Sequence, residues 1–278
     1  MEPKKTLFVN LSQKTAETQL LPELTPYVGG VTLGVKLYSL YKDFDPVVAC
    51  VGPLNGFFPF ASKTCFVVQN DGIMEDLYVG GGLSFRLKFS GFEALVLAGS
   101  SNENVILDIT NDEVKFLDTQ TNFDSLGLPG KRSVLQTVRD TLLLDGYFGF
   151  DTEILERKLV TKKVLGFSVT GTKRVPILES AKHATLFNEI LGQKELASVQ
   201  SSNCPSCSGC PLGCDKSKTG EMGGNILVHS LVACGYAERI YSNLGIVFAC
   251  LDCLGYKYTH EQLEALPDLF TKTLKEIS

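Results

Sequence analysis

The sequence predicts an α+β protein: a β-rich N-terminal domain of two sheets with flanking helices (residues 1–180), followed by a small all-helical lobe (residues 181–278). Turn-bounded pairs of β-prone segments occur twice, about a hundred residues apart, which hints at internal pseudo-symmetry. Between them lie short β-branched or aromatic runs bounded by Gly, Asn or Asp. After Pro176 the texture changes to apolar residues at helical spacing, which places the boundary near residue 180.

In order, residues 6–11 (TLFVNL) form the first strand, SQKT supplies a turn, and AETQLL returns as an antiparallel partner. Residues 46–51, 63–69 and 93–98 read as sheet strands. Leu33, Leu37, Leu40, Tyr41 and Phe44 fall at helical spacing after Gly29-Gly30, and a second helix is expected over 82–89. VILDIT, the polar turn NDE and VKFLD (114–118) repeat the hairpin. The stripe Val134, Leu135, Val138, Leu142 and Leu143 predicts a third helix over 133–144. Strands are expected again at 164–169 and 174–177. The lobe opens with LESAKHATLFNEILGQKELASV, continues in buried helices over 227–240 and 244–254, and ends in a helix starting at Thr259, where Thr259 and Gln262 make a capping box.

The composition is that of a globular protein, with 44% hydrophobic and 21% charged residues. Twenty-six Lys and Arg face 31 Asp and Glu, and a net charge of -5 without a basic run argues against a nucleic-acid partner. No apolar stretch approaches the roughly 18 to 20 residues that span a bilayer, and the opening MEPKK leads into a strand rather than an apolar leader. The expectation is a cytoplasmic protein with no membrane partner.

Nine cysteines, four of them within 11 residues, point to chemistry. An odd count in so tight a cluster fits metal ligation in a reducing compartment better than a disulfide framework. Residues 203–215 read NCPSCSGCPLGCD, giving C-x2-C-x2-C-x3-C at Cys204, Cys207, Cys210 and Cys214. Short loops with small residues let such thiolates converge on a [4Fe-4S] cluster. Three local ligands plus one remote is an equal reading, with Cys234, Cys250 or Cys253 as the remote thiol. Zinc on Cys207, Cys210, Cys250 and Cys253 is the competing assignment, and free thiols in a loop the blandest one.

These residues resemble the tungsten-containing aldehyde:ferredoxin oxidoreductase family. The match includes CPLGC at the cluster motif, the FVNLSQKTAE hairpin, VGPLNG (51–56), LKFSGFEALVLAG (87–99), VPI (175–177) and Gly220-Glu221. The resemblance implies a β-rich domain of two sheets related by a pseudo-twofold, then helical domains. It also implies a tungsten bis-pyranopterin, one [4Fe-4S] cluster, and exchange with ferredoxin or a partner oxidoreductase subunit in a homo- or hetero-oligomer. This chain is a front half, because the family continues through a further helical domain that supplies the fourth cluster ligand. Cys207, Cys210 and Cys214 match ligands, and Cys204 is placed to replace the missing one.

The pterin machinery departs from the pattern. A glycine-rich, arginine-bearing loop is replaced by DTEILERKLVTKKVLGF, and Gly-Arg-Tyr-Asn by Ser62-Lys63-Thr64-Cys65-Phe66. Of the Asp-x-x-Gly-Leu-Asp motif only Asp252 and Gly255 survive, with Lys257 in place of the second Asp. Val228 stands where the family has its acid/base Glu, and Val cannot move a proton, so no catalytic residue is assigned. The reading is therefore a [4Fe-4S] protein acting in electron transfer as an oxidoreductase subunit or relay, with a tungsten or molybdenum pterin disfavoured. The alternatives are one part of a split tungsten or molybdenum pterin enzyme and a zinc-binding or non-redox scaffold.

The remaining features read as structural. Gly80-Gly81-Gly82 is a tight strand-to-helix turn before it is an anion cradle. Cys50 and Cys65 read as buried core thiols, His183 and His260 as helix-surface residues, and His229 as solvated or hydrogen-bonded.

Overall fold

The structure is a computed structural model that describes residues 3–232 and 234–277. Strand β1 (Lys4–Asn10) pairs antiparallel with β2 (Thr15–Leu21), in register from Lys4 opposite Leu21 to Asn10 opposite Thr15. Helix α1 (Gly30–Leu40) follows, then β3 (Val47–Cys50), β4 (Thr64–Asn70), β5 (Ile73–Val79), helix α2 (Leu83–Ser90) and β6 (Ala94–Ala98). Strand β6 returns parallel to β1 and antiparallel to β3. The second sheet repeats this plan. Strands β7 (Val105–Thr110) and β8 (Glu113–Leu117) form its opening hairpin, β9 (Arg132–Val138) and β10 (Thr141–Leu144) a second, and α3 (Ile154–Thr161) leads into β11 (Val164–Thr170). Strand β11 lies parallel to β7 and antiparallel to β9. Each sheet thus places a strand entered through a helix, β6 or β11, parallel to its first, which is the repeat that the two hairpins in the sequence announced.

The α+β expectation of two sheets followed by helices holds, with local corrections. Residues 133–144 are the β9–β10 hairpin, not a helix. The inward residues are Ser133, Leu135, Leu142 and Leu144, a period of two, and Arg139 and Asp140 turn the chain with positive φ of 50° and 61°. Paired φ > 0 residues are what a two-residue turn joining twisted strands requires, whereas the apolar stripe over so short a run fits either period. Residues 174–177 are not a strand; they run without regular structure from the end of β11. The expected 227–240 helix is broken into α5 (Ile226–Leu231), a 3-10 turn at Gly235–Ala237 and α6 (Glu238–Tyr241).

The helical part begins with α4 (Ser180–Gly192) and continues through α5 and α6 to α7 (Leu244–Cys253), α8 (His260–Glu264) and α9 (Leu266–Ile277). The capping box at Thr259 and Gln262 is formed as the sequence indicates, with both reciprocal bonds present. One short strand from this region, β12 (Glu221–Met222), crosses back and pairs antiparallel with β5, placing Glu221 opposite Tyr78. The first sheet therefore has seven strands, in the order β12-β5-β4-β3-β6-β1-β2, and the second five, in the order β10-β9-β11-β7-β8.

One core, which includes Leu7, Phe66, Leu95, Leu107 and Phe167, runs between the two sheets; another, around Val228, Tyr241 and Leu251, fills the helical region. Each buried Leu or Phe contributes about 1.5–3 kcal/mol, so both cores are substantial. Cys210 is half-buried against both of them, which fixes the cysteine loop at their junction. Among the described residues no helix is long and apolar enough to cross a membrane.

Candidate metal centre

The cysteine loop docks on the turn between β5 and α2. Ser208 donates its amide to the Gly81 carbonyl at 3.1 Å, and the Cys207 sulfur occupies the space beside Gly80, where a Cβ would approach it to 2.5 Å. Glycine is required at position 80 because the sulfur takes the side chain's place. The turn also answers the question of an anion at the α2 N-terminus. That position is occupied by the protein's own Asp145, whose carboxylate accepts from the Gly82 amide (2.7 Å), the Ser133 hydroxyl (2.7 Å) and the Val134 amide (2.9 Å).

Within the loop, Cys210 donates its amide to the Cys207 carbonyl at 2.9 Å, and the amides of Ser202 and Cys204 converge on the Gly213 carbonyl at 3.0 and 3.1 Å. Gly209 and Gly213 adopt positive φ, and a Cβ on Gly213 would press to 2.8 Å from the Cys204 carbonyl. The small residues thus let the chain double back on itself within 11 positions. Cys207 and Cys214 are buried, while Cys204 and Cys210 are partly exposed. Burial raises the Cys207 thiol above its usual value and Cys210 to about 12. Among the described residues no three His, Cys, Asp or Glu side chains converge at metal-ligating distance.

Sequence reasoning named Lys63, Glu221 and Cys234 separately but did not bring them together beside the loop. Lys63, at the entry to β4, is 2% exposed. Its ammonium lies 3.5 Å from a Glu221 carboxylate oxygen and 4.9 Å from the centre of the Tyr236 ring, and its Nζ makes no hydrogen bond among the described residues. Burial pulls the Lys63 pKa down, but Cys234, Glu221, Cys207 and Tyr236 together more than offset it and leave it raised. Cys234 is pushed up by burial; Lys63 opposes the rise, while Glu221, Cys207 and Cys210 add to it. Glu221 is held by β12 and accepts from the Gly235 amide at 2.8 Å. The one available signal was Lys63 itself, a lysine standing where the resembling family carries an arginine.

His229 corrects an expectation in part, being buried rather than solvated. It is 1% exposed, its ring centre lies 3.9 Å from that of Tyr78 with the planes tilted by 41°, and the Gly223 backbone is the polar neighbour that opposes the lowering of its pKa. Burial and the nearby Lys63 cation lower its pKa to about 4, so it stays neutral near pH 7. Val228 is fully buried in the helical core. Cys50 and Cys65 face each other across β3 and β4, fully buried, as core thiols do.

The other candidates lie elsewhere. Asp252, near the C-terminus of α7, is claimed by Lys182 at 2.9 Å and by Lys257, and hydrogen bonds from those two lysines hold its carboxyl at about 2. Gly255 follows with φ of 87° and packs on Leu178. Cys253 directs its sulfur at the Glu179 carbonyl, 3.5 Å away, and the charges nearest Cys250 are Cys253, Glu189 and Lys182. Both thiols thus belong to the packing of α7 on α4. Cys204, by contrast, faces the Tyr147 hydroxyl.

The donor chemistry fits an iron-sulfur cluster: three thiols closely spaced in sequence on a glycine-shaped loop, beside a buried cation whose Nζ lacks a hydrogen-bond partner among the described residues. A pterin fits poorly. The segment that replaces the glycine-rich loop implied by the resemblance forms helix α3, whose side chains leave no glycine backbone to cradle a cofactor, and Asp252 is already paired with Lys182 and Lys257.

Residues 6–159 match the family described as "Aldehyde ferredoxin oxidoreductase, N-terminal domain". Over 191 residues the chain is 24% identical to a tungsten-containing aldehyde ferredoxin oxidoreductase of Thermococcus kodakarensis, covering 56% of this chain and 31% of that protein. Over 156 residues it is 26% identical to the WOR-like subunit of an aliphatic sulfonate oxidoreductase of Pyrococcus furiosus, covering 50% of this chain and 24% of the relative. The chain therefore spans less than a third of either curated relative. The whole chain also superposes, with a TM-score of 0.63 and 13% identity, on 64% of a chain of the active-site complex BamBC of benzoyl coenzyme A reductase, determined with 1,5-dienoyl-CoA. That likeness shows a shared fold.

Proposed function

The chain belongs to the aldehyde ferredoxin oxidoreductase family, and from that premise we propose that it is an iron-sulfur subunit that carries electrons through a [4Fe-4S] cluster, within an oxidoreductase assembly. The observation that supports this reading is the burial of Cys207 in the inter-sheet core beside the ammonium of Lys63, with Cys210 packed against both cores and Cys214 buried in the same loop. A bound cluster would supply one-electron redox chemistry. The protein's part is to hold the thiolates, balance their negative charge with Lys63, and exclude water through the packing of Phe148 and the Gly80–Gly82 turn.

The sequence nominates Cys204 as fourth ligand. Of the remote thiols, Cys250 and Cys253 are committed to the α4–α7 contact, while Cys234 shares Lys63 with Cys207 and has Cys210 within electrostatic reach. We assign Cys234 as the fourth ligand and Cys204 as its alternate. An active-site role is disfavoured by Val228, buried in an apolar core at the position of the family's acid/base. The working partner is a second oxidoreductase subunit, in keeping with relatives described as a subunit and as part of a complex, or a ferredoxin.

Anaerobic purification followed by analysis of iron, acid-labile sulfide, zinc, tungsten and molybdenum per chain tests the proposal. Iron and sulfide at roughly four each, with a dithionite-bleachable visible band and no tungsten or molybdenum, is the expected result. Zinc alone, or tungsten in stoichiometric amount, would replace it with the scaffold or the split enzyme.

A further inference from the structure

On the side of the second sheet, a groove of about 530 Å³ opens between the C-terminal end of α2 and the segment that follows β11; Arg86, Phe89, Lys131, Thr172, Lys173, Arg174, Val175 and Pro176 are among its lining residues. Its volume is in the range of small-molecule sites. Four of its residues are cations, drawn from three separate segments, and none is a carboxylate, in a chain whose net charge is -5. Neither Lys131 nor Arg174 makes an ion pair among the described residues; Lys173 pairs with Asp112 at 3.3 Å. Arg86 donates Nη2 to the Gly130 carbonyl at 3.0 Å, while its Nε is buried without a partner among the described residues.

The groove is a built feature. The Lys173 amide donates to the Phe89 carbonyl at 2.6 Å, and the Gly171 amide to the Lys131 carbonyl at 3.3 Å. A Cβ on Gly171 would come to 2.2 Å from the Arg86 carbonyl, so the segment bearing Lys173 and Arg174 is seated directly on α2. The backbone contacts bring four cationic residues to one groove, two of which, Lys131 and Arg174, have no ion pair among the described residues, so an anion there gains attraction, and an arginine guanidinium matches phosphate oxygens. Phe89, Val175 and Pro176 give the groove an apolar side as well.

We propose that this groove binds the phosphate groups of an organic diphosphate, with Arg86, Lys131, Lys173 and Arg174 as the phosphate contacts and Phe89, Val175 and Pro176 against its organic part. The site is separate from the cysteine loop and stands independently of the cluster assignment. The test is calorimetric titration of the full chain with ADP, at low and at physiological salt, beside pyrophosphate as the probe for the phosphate part alone. Saturable one-site binding of ADP is expected, tighter than that of pyrophosphate and weakening with salt. Arg174→Gln should weaken it roughly tenfold, and the pair Lys131→Gln and Arg174→Gln further still. Both side chains are exposed and free of ion pairs, so the variants should melt with the parent protein. Failure of ADP to saturate at millimolar concentration, ADP binding no tighter than pyrophosphate, or equal ADP affinity in parent and variants would overturn the proposal.

Discussion

The sulfur of Cys207 sits where a side chain on Gly80 would have to go: a Cβ there would approach it to 2.5 Å and the Phe148 ring to 2.8 Å. The β5–α2 turn and the cysteine loop are in this way fitted to each other, and the fit links the sheet's packing to the geometry of the thiols. Gly80→Ala must push the loop or the ring aside, which costs about 1–3 kcal/mol as overpacking does. A urea melt measures it, with Gly192→Ala as control, since a Cβ at the end of α4 meets nothing within 4 Å. The control should be neutral or slightly stabilising. Equal midpoints for Gly80→Ala and the parent would mean that the contact carries no energy.

Lys63 and Glu221 form a buried pair, 3.5 Å apart with side chains 2% and 10% exposed. Removing one partner strands the other charge. Lys63→Met should therefore destabilise the chain by about 3–5 kcal/mol, and adding Glu221→Gln should return part of that loss. Unfolding free energies of the two single variants and the double variant check it. Additivity of the single effects would show that the two charges do not communicate. In iron-loaded protein, Lys63→Met should also lower the reduction potential, because a nearby cation favours the more negative cluster state.

The ligand assignment separates by single serine substitutions. Cys207→Ser and Cys210→Ser should each abolish bound iron. Cys234→Ser should do so as well, whereas Cys250→Ser, whose sulfur belongs to the α7–α4 contact, should leave iron content unchanged. Cys204 faces Tyr147, so Cys204→Ser should retain iron. Iron lost from Cys204→Ser but kept in Cys234→Ser would instead restore the four-cysteine run as a self-contained ligand set. Iron per chain and the visible absorbance of the anaerobic protein decide between them.

What the sequence disclosed follows from how local each signal is. The two opening hairpins and the Thr259–Gln262 capping box are each written within a dozen residues and were legible, as was the buried face of α1 at Leu33 and Leu37, although Leu40 and Phe44 are exposed and the helix ends at Leu40. The β9–β10 hairpin was not. Val134, Leu135, Val138, Leu142 and Leu143 satisfy a helical stripe, and only the positive φ of Arg139 and Asp140, adopted in three dimensions, selects the turn. Strand β5 was hidden because its residues from Ile73 to Asp76 are exposed or half-buried and it carries two acids. At the candidate centre the thiol spacing was plain. Lys63 and Cys234, 171 positions apart in a sequence with no repeat joining them, meet only through folding. A buried lysine and an exposed one look alike in sequence.

A second lysine gives the chain a pH dependence of stability. Lys162 closes α3 with its side chain 1% exposed; its ammonium donates to the Gly99 carbonyl at 3.1 Å and to the Asp45 carbonyl, with the Asp45 carboxylate 4.0 Å away. Burial lowers its pKa from 10.5 to about 8, against the pull of Asp45 and with help from Lys158. Between those values the unfolded chain binds a proton that the native chain does not, so stability must rise with pH across the window from about 8 to 10.5. Below pH 8 the native protein carries the full cost of a buried charge, up to roughly 3 kcal/mol, and that cost fades toward pH 10.5. Lys162→Met removes the titration but leaves two carbonyls without their donor, so the absolute stability of the variant is uninformative and the slope is what matters. The difference in unfolding free energy, parent minus Lys162→Met, should be flat from pH 6 to 8 and then grow in the parent's favour by up to roughly 3 kcal/mol. A difference that stays constant to pH 10.5 would place the Lys162 ammonium in an environment as wet as the unfolded chain, and the contacts that bury it would have to be redrawn.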